Sequence, residues 1–381
     1  MLLLLAAAQS AALALLLTRL ARGRTRRPPV APATTPMPDA RVSVVLATLN
    51  EAERIGPCLD GLMRQGPELL EVLVVDSRSR DGTGDVVRAA AARDPRIRLL
   101  HDDPLPAGWV GKVWALETGL REARGTWMLG IDADTAPEPG MVAAVVRAAE
   151  ADGYDVVSFG PRFAGMTAAE RWLQPALLTT LVYRFGPAGE ASPAPDRVMA
   201  NGQCFLARRE LLVRHGGYAP SRLSFCDDVT LARHLAHRGA RVGFLDGSRI
   251  ISVRAYTSAA ETWREWGRSL DLKDASTRVR QWGDVAFLAL VQGLPIPVLL
   301  LYAAVPPLRA AAGFDALALV SAVTFGVRLL FQFALRNSYE RRGLPFWLSP
   351  LADPAAAFRI LLSTMRTPTR WRGRAYDELT A

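Results

Sequence analysis

Between Arg41 and Asp132 the chain alternates short β-branched or apolar runs with amphipathic stretches, a pattern that few folds accommodate. The runs VSVVLAT (42–48), EVLVVD (71–76), IRLLH (97–101) and TWMLGID (126–132) each end in polar residues. Amphipathic stretches at 51–65, 83–93 and 111–123 separate them. This alternation predicts an α/β fold, a mostly parallel sheet with helices on both faces. Ligands of such sheets bind beyond the carboxyl ends of the strands, where Thr48, Asp76 and Asp132 stand.

Outside that region the composition shifts toward lipid. Residues 2–20 are apolar over about a membrane's thickness and are followed, not preceded, by Arg19, Arg22, Arg24, Arg26 and Arg27. A cleaved signal peptide has the opposite charge order, so an uncleaved anchor with its N-terminus outside is expected. Two more runs, 285–308 and 316–335, are long enough to span, and Arg336, Arg341 and Arg342 follow the second. Residues 346–365 are apolar but broken by Pro350, Asp353 and Pro354, which favours a re-entrant or interfacial segment over a full span. The expected organisation is an anchor at 1–21, a basic, Pro-rich linker at 22–40 that joins no packed element, and a cytoplasmic catalytic domain at 41–283. Two membrane helices at 284–336 and a terminal segment at 337–381 complete it, in a multi-pass protein of the inner (plasma) membrane.

The net charge of +9 does not point to nucleic acid. Much of the basic excess lies beside apolar runs, where it sets topology and meets anionic membrane lipids. Cys58, Cys204 and Cys226 show neither pairing nor metal-ligand spacing, which suits a reducing compartment.

The stretch WMLGIDADTAPEPG ends a strand with Asp132 and Asp134 one residue apart. Two like charges there repel unless a cation or a solvated turn absorbs them. One reading is a polar turn, with Asp134 capping a helix that Pro137 to Gly140 begins. The other is a divalent-metal site for a phosphorylated ligand. Three further places can carry chemistry. Thr48, Asn50 and Glu51 turn the first strand into a helix whose N–H groups face the strand-end crevice. Lys112, one of only two lysines, begins another helix and is either a solvated surface residue or a cation in reach of a diphosphate. Asp227 and Asp228 precede an amphipathic helix, whose dipole stabilises them, and a general base can be held ionised there.

Taken together, VVLATLNEAERI, VVDSRSRDGT, IDADT and CDDVTLARHLAHRG resemble, in order and spacing, the family 2 glycosyltransferases with the GT-A fold, over residues 41–270. The motif PLPAGWVGKVWAL, the trailing spans and the terminal WRGRAY look like the membrane-bound branch that includes hopanoid-associated and carotenoid (diaponeurosporenoate-type) enzymes. The resemblance implies a nucleotide-sugar-binding mixed sheet and a donor pocket lined by Thr48, Asn50, Glu51 and Asp76. It implies Mn2+ or Mg2+ on Asp134, with Asp132 beside the ribose and sugar, and Asp228 as base next to Asp227. Lys112 would face the departing diphosphate.

The implied reaction is an inverting transfer of one sugar, from UDP before GDP, to a lipid acceptor. Processive synthases of the family carry Gln-x-x-Arg-Trp, whereas RVRQWGD (278–284) separates Arg280 from Trp282 by Gln281. Segment 166–185 is read either as a buried core helix or as an interfacial helix that brings a lipid hydroxyl to the site. A polyprenyl-phosphate sugar transferase and a catalytically silent scaffold are the rival readings.

Overall fold

The computed structural model describes all residues except 190–193, 255, 257, 270, 271, 273, 274, 367–369, 372, 373 and 376–381. The chain forms two compact units. One comprises Arg27–Ala164, Ala188–Ala255 and Pro368–Ala381; the other comprises Met1–Arg26, Gly165–Pro187 and Tyr256–Thr367.

In the first unit the strands of the two larger sheets are β1 (Val42–Thr48), β2 (Leu69–Asp76), β3 (Ile97–His101), β4 (Trp127–Gly130), β5 (Thr135–Pro137), β6 (Val156–Gly160), β7 (Arg162–Phe163), β8 (Phe205–Arg208), β9 (Val242–Asp246) and β10 (Ile251–Val253). Seven form a sheet of order β3-β2-β1-β4-β8-β6-β9, and β5-β10-β7 form a smaller one. The first four are mutually parallel and β8 runs antiparallel between β4 and β6, so the sheet is mixed. Strand β1 is buried almost throughout, because both faces are covered. Val42, Val44 and Leu46 share a core with Leu59, Leu62, Val142 and Val145 from the helices Ile55–Met63 and Met141–Asp152. Val45, on the other face, meets the helix Gly111–Glu122 at Gly119.

That second contact is close. A Cβ on Gly119 would lie 2.3 Å from a Val45 methyl. Alanine would gain about 1 kcal/mol in helix propensity. Overpacking costs about 1–3 kcal/mol, so the clash is expected to win and Gly119→Ala to lower the melting temperature. Adding Val45→Ala should restore part of the loss; an unchanged melting temperature in Gly119→Ala would contradict the packing.

Residues 28–40 adopt no regular element, yet they are not a free linker. Val30, Ala33 and Met37 pack on the sheet's core, and the Val30 and Ala33 N–H groups donate to the carbonyls of Asp246 and Gly140. The apolar residues among the prolines supply this adhesion.

The second unit is helical. Among the described residues three of its helical segments are long and apolar enough to cross a membrane: Leu2–Thr25, Arg278–Ala304 and Phe314–Ser338. Residues 343–365 instead form Gly343–Trp347, a short 3-10 turn at Ser349–Ala352, and Asp353–Met365. At 13 residues the last helix falls short of the roughly 20 that a span needs.

The expected catalytic domain at 41–283 is not one compact body. The helix Ala168–Phe185 groups with the terminal helices and is buried there along Leu173, Ala176, Leu177 and Tyr183. Its N-terminus carries a capping box from Thr167 and Glu170.

Polar side chains tie this unit together. Arg328 and Asp353, 1% and 2% exposed, pair at 2.8 Å. Gln292 bridges Asp353 to the Ala176 carbonyl, and Gln332 joins Arg328 to the Phe346 carbonyl. Asp353, which reads as a break in an apolar run, is the anchor of that run. Asp353→Ala would strand a buried guanidinium, a change worth about 3–5 kcal/mol. A marked fall in the melting temperature in detergent is expected, with the double variant Arg328→Leu/Asp353→Leu closer to wild type. Equal stability of Asp353→Ala and wild type would contradict the pair's role.

Candidate active site

The parallel register sets Thr48 beside Asp76 at the ends of β1 and β2. The Thr48 hydroxyl donates to the Val75 carbonyl (3.2 Å) and Asp76 (3.4 Å), and Asp76 also accepts from the hydroxyl and N–H of Ser79. Asn50 sits at φ 55°, in the left-handed region that an Asn tolerates. This kink delays the helix expected at Glu51 until Ile55. The N–H groups of Asn50, Glu51 and Ala52 do not face an open crevice as expected. They donate to the side chains of Ser79, Thr83 and Asp81, stitching the two loops together. Asp81 in turn accepts from both the N–H and the hydroxyl of Thr83.

Strand β4 stops at Gly130, so Asp132 lies in the turn beyond it, its carbonyl accepting from Thr135. Asp134 leads into β5 and is not the cap of the next helix. That helix begins at Met141, behind Gly140 in the left-handed region. The polar-turn reading therefore loses its structural role for Asp134.

Lys112 is not a solvated surface lysine. Its ammonium pairs with Asp132 at 2.7 Å, with a fifth of its side chain exposed. Burial alone would lower the Lys112 pKa; Asp132, Asp227 and Asp228 outweigh it and raise it, so the ammonium stays charged.

Asp227 and Asp228 open the helix Asp227–Ala236. Burial pushes both carboxyls up, with Lys112 opposing. The two Asp228 oxygens accept from the N–H groups of Gly202 (2.6 Å) and Val229 (2.8 Å). A Cβ on Gly202 would come 3.2 Å from the Lys112 ammonium and 3.6 Å from Asp228. One narrow space thus gathers Asp132, Lys112, Gly202 and Asp228, although their segments are distant in sequence. Gly202 carried no signal beyond its turn-like ANGQC surroundings.

Among the described residues no group of three or more His, Cys, Asp or Glu side chains could hold a metal ion. A divalent cation held by one or two carboxylates plus phosphate oxygens needs no such cage. Asp132 and Asp134 stand one residue apart in the segment between β4 and β5, two carboxylates without, among the described residues, the further ligands that a stand-alone structural ion needs.

Residues 43–216 match the family model described as Glycosyl transferase family 2. Glycosyltransferase AglE of Haloferax volcanii is 26% identical over 207 residues, which cover 49% of this chain and 65% of AglE. An undecaprenyl-phosphate mannosyltransferase of Micrococcus luteus is 36% identical over 103 residues, 26% of this chain and 40% of that protein. The chain thus spans less than two thirds of these relatives, at 65% and 40%. Among solved structures, mannosyltransferase PcManGT from Pyrobaculum calidifontis, in complex with GDP-Man and Mn2+, has a TM-score of 0.57 at 22% identity. The match covers 96% of this chain and 99% of that one. The fold is GT-A, and a glycosyltransferase family 2 domain is supported over residues 43–216.

Proposed function

We propose that this chain is a metal-dependent, inverting glycosyltransferase that moves one sugar from a nucleotide-sugar to a hydroxyl or carboxyl of a membrane lipid. The carrying observation is the convergence of Lys112, Asp132 and Asp228 on one space at the strand ends. Asp228 is the base: its carboxylate is oriented by two N–H groups, and each oxygen keeps a lone pair for a proton. A hydroxyl acceptor gives its proton to Asp228, whereas a carboxyl acceptor arrives as the carboxylate; in either case the acceptor oxygen bonds to the anomeric carbon. The bond from that carbon to the diphosphate breaks, and its electron pair leaves with the nucleotide. Lys112 holds Asp132 in place and lies where charge on the departing diphosphate grows. Asp134, with Asp132, would hold the Mn2+ or Mg2+, which would supply Lewis-acid stabilisation of the diphosphate. Thr48, Asn50, Glu51 and Asp76 form the wall for the nucleoside.

UDP is the nucleotide favoured by the family motifs; the GDP-Man and Mn2+ held by PcManGT support GDP as its rival. Three helices of spanning length and composition support a lipid acceptor and a multi-pass place in the plasma membrane, with the catalytic domain in the cytoplasm. Carotenoid, hopanoid and glycerolipid head groups are the acceptor classes. The Micrococcus luteus relative favours a second reading, in which a polyprenyl phosphate accepts the sugar. Binding of a UDP-sugar and GDP-sugar panel to the detergent-purified chain, with Mn2+ and with EDTA, tests the donor. Mn2+-dependent binding of one of them is expected, and none in either condition would refute the proposal.

A further inference from the structure

We propose that Arg254 is a second cation of the donor site, binding the diphosphate together with Lys112; this rests on the donor reading above. Strand β10 runs antiparallel to β5, with Val253 across from Thr135. The next pair outward is Arg254 and Asp134, and the Arg254 N–H donates to the Asp134 carbonyl at 3.0 Å. Directly opposed residues in an antiparallel ladder send their side chains to one face, with Cβ atoms about 4.5–5.5 Å apart. Thr135 and Val253 are buried, so their neighbours Asp134 and Arg254 share the other, more open face.

An Arg opposite an Asp commonly forms a cross-strand ion pair. Here the guanidinium makes no hydrogen bond or ion pair with any described side chain, and Arg254 is exposed. A permanently protonated guanidinium cannot serve as a metal ligand, but its planar fork matches phosphate oxygens. The position across the ladder from Asp134 therefore takes an anion. One Asp132 oxygen is paired with Lys112 at 2.7 Å. A diphosphate reaching Asp134 through a cation would place its oxygens beside a guanidinium that has no side-chain partner among the described residues. As the sugar leaves and the diphosphate gains negative charge, Arg254 holds the product more tightly than the donor.

The test is binding, not turnover. The full chain in detergent, as wild type, Arg254→Met and Arg254→Lys, is titrated with UDP and GDP, UMP and GMP, and uridine and guanosine. Each titration is run with Mn2+ and with EDTA. Losing a charge-assisted pair should weaken the better-bound diphosphate by about tenfold to a hundredfold in Arg254→Met. Uridine or guanosine affinity should not move, and Arg254→Lys should recover part of the loss as a point charge. Wild-type diphosphate affinity in Arg254→Met would overturn the proposal, as would an equal loss for the nucleoside. If wild type itself binds no nucleotide, the donor reading falls and takes this role with it; a selective Arg254 effect cannot be confused with that outcome.

Discussion

Asp228→Asn is expected to lower sugar transfer to a lipid hydroxyl on the order of 10²–10⁴-fold while leaving donor affinity near that of wild type. The amide cannot take a proton, while the side chain is held in place by the N–H groups of Gly202 and Val229. Asparagine offers one acceptor oxygen where the carboxylate offers two, so one of those N–H groups loses its partner. An unchanged melting temperature would show that the loss is chemical and not a collapse of the Gly202 loop. The same variant separates acceptors that must lose a proton from those that arrive ionised. A phosphate or carboxylate acceptor is already ionised and needs no strong base, so largely preserved transfer in Asp228→Asn would count against a hydroxyl acceptor.

Asp134→Ala carries the second large effect. Removing one of the two carboxylates that fit a divalent ion should cost several kcal/mol of transition-state stabilisation, on the order of 10²–10³-fold in rate. Binding should change with it: Mn2+ ought to strengthen UDP or GDP binding to wild type and to have little influence on Asp134→Ala. Because the Asp134 carbonyl, not its carboxylate, accepts from Arg254, the β5–β10 ladder should survive the substitution. Equal Mn2+ dependence in the two proteins would remove Asp134 from the metal site.

The sheet was readable because its central strands are buried on both faces and so appear as unbroken apolar runs. Strand β1 lies where VSVVLAT placed it, and Thr48 and Asp76 end their strands side by side. The acid pairs were visible for a different reason: adjacent like charges at element termini need a partner. Lys112 stood out because the chain has only two lysines. What stayed hidden depends on pairing between distant segments. Nothing near Gly202 announces that its N–H holds Asp228, and nothing near Arg254 announces that it lies across from Asp134.

The helix Ala168–Phe185 shows the same limit. Its composition predicts an apolar face but not that terminal helices cover it. Asp353 reads as an interruption until Arg328, within another apolar run, proves to be its partner. Local turn chemistry was misjudged once, at Asn50, whose left-handed backbone sends three N–H groups to neighbouring side chains instead of a ligand.

The most direct measurement is transfer of labelled sugar from a panel of UDP- and GDP-sugars to a lipid extract of the source cells, with Mn2+. Wild type, Asp134→Ala and Asp228→Asn would be run in parallel as detergent-purified protein. A labelled lipid made by wild type and lost in both variants is the expected result, and its mass would identify the acceptor. No labelled product and no metal-dependent nucleotide binding from folded wild-type protein would contradict the transferase reading and leave a silent membrane scaffold in its place.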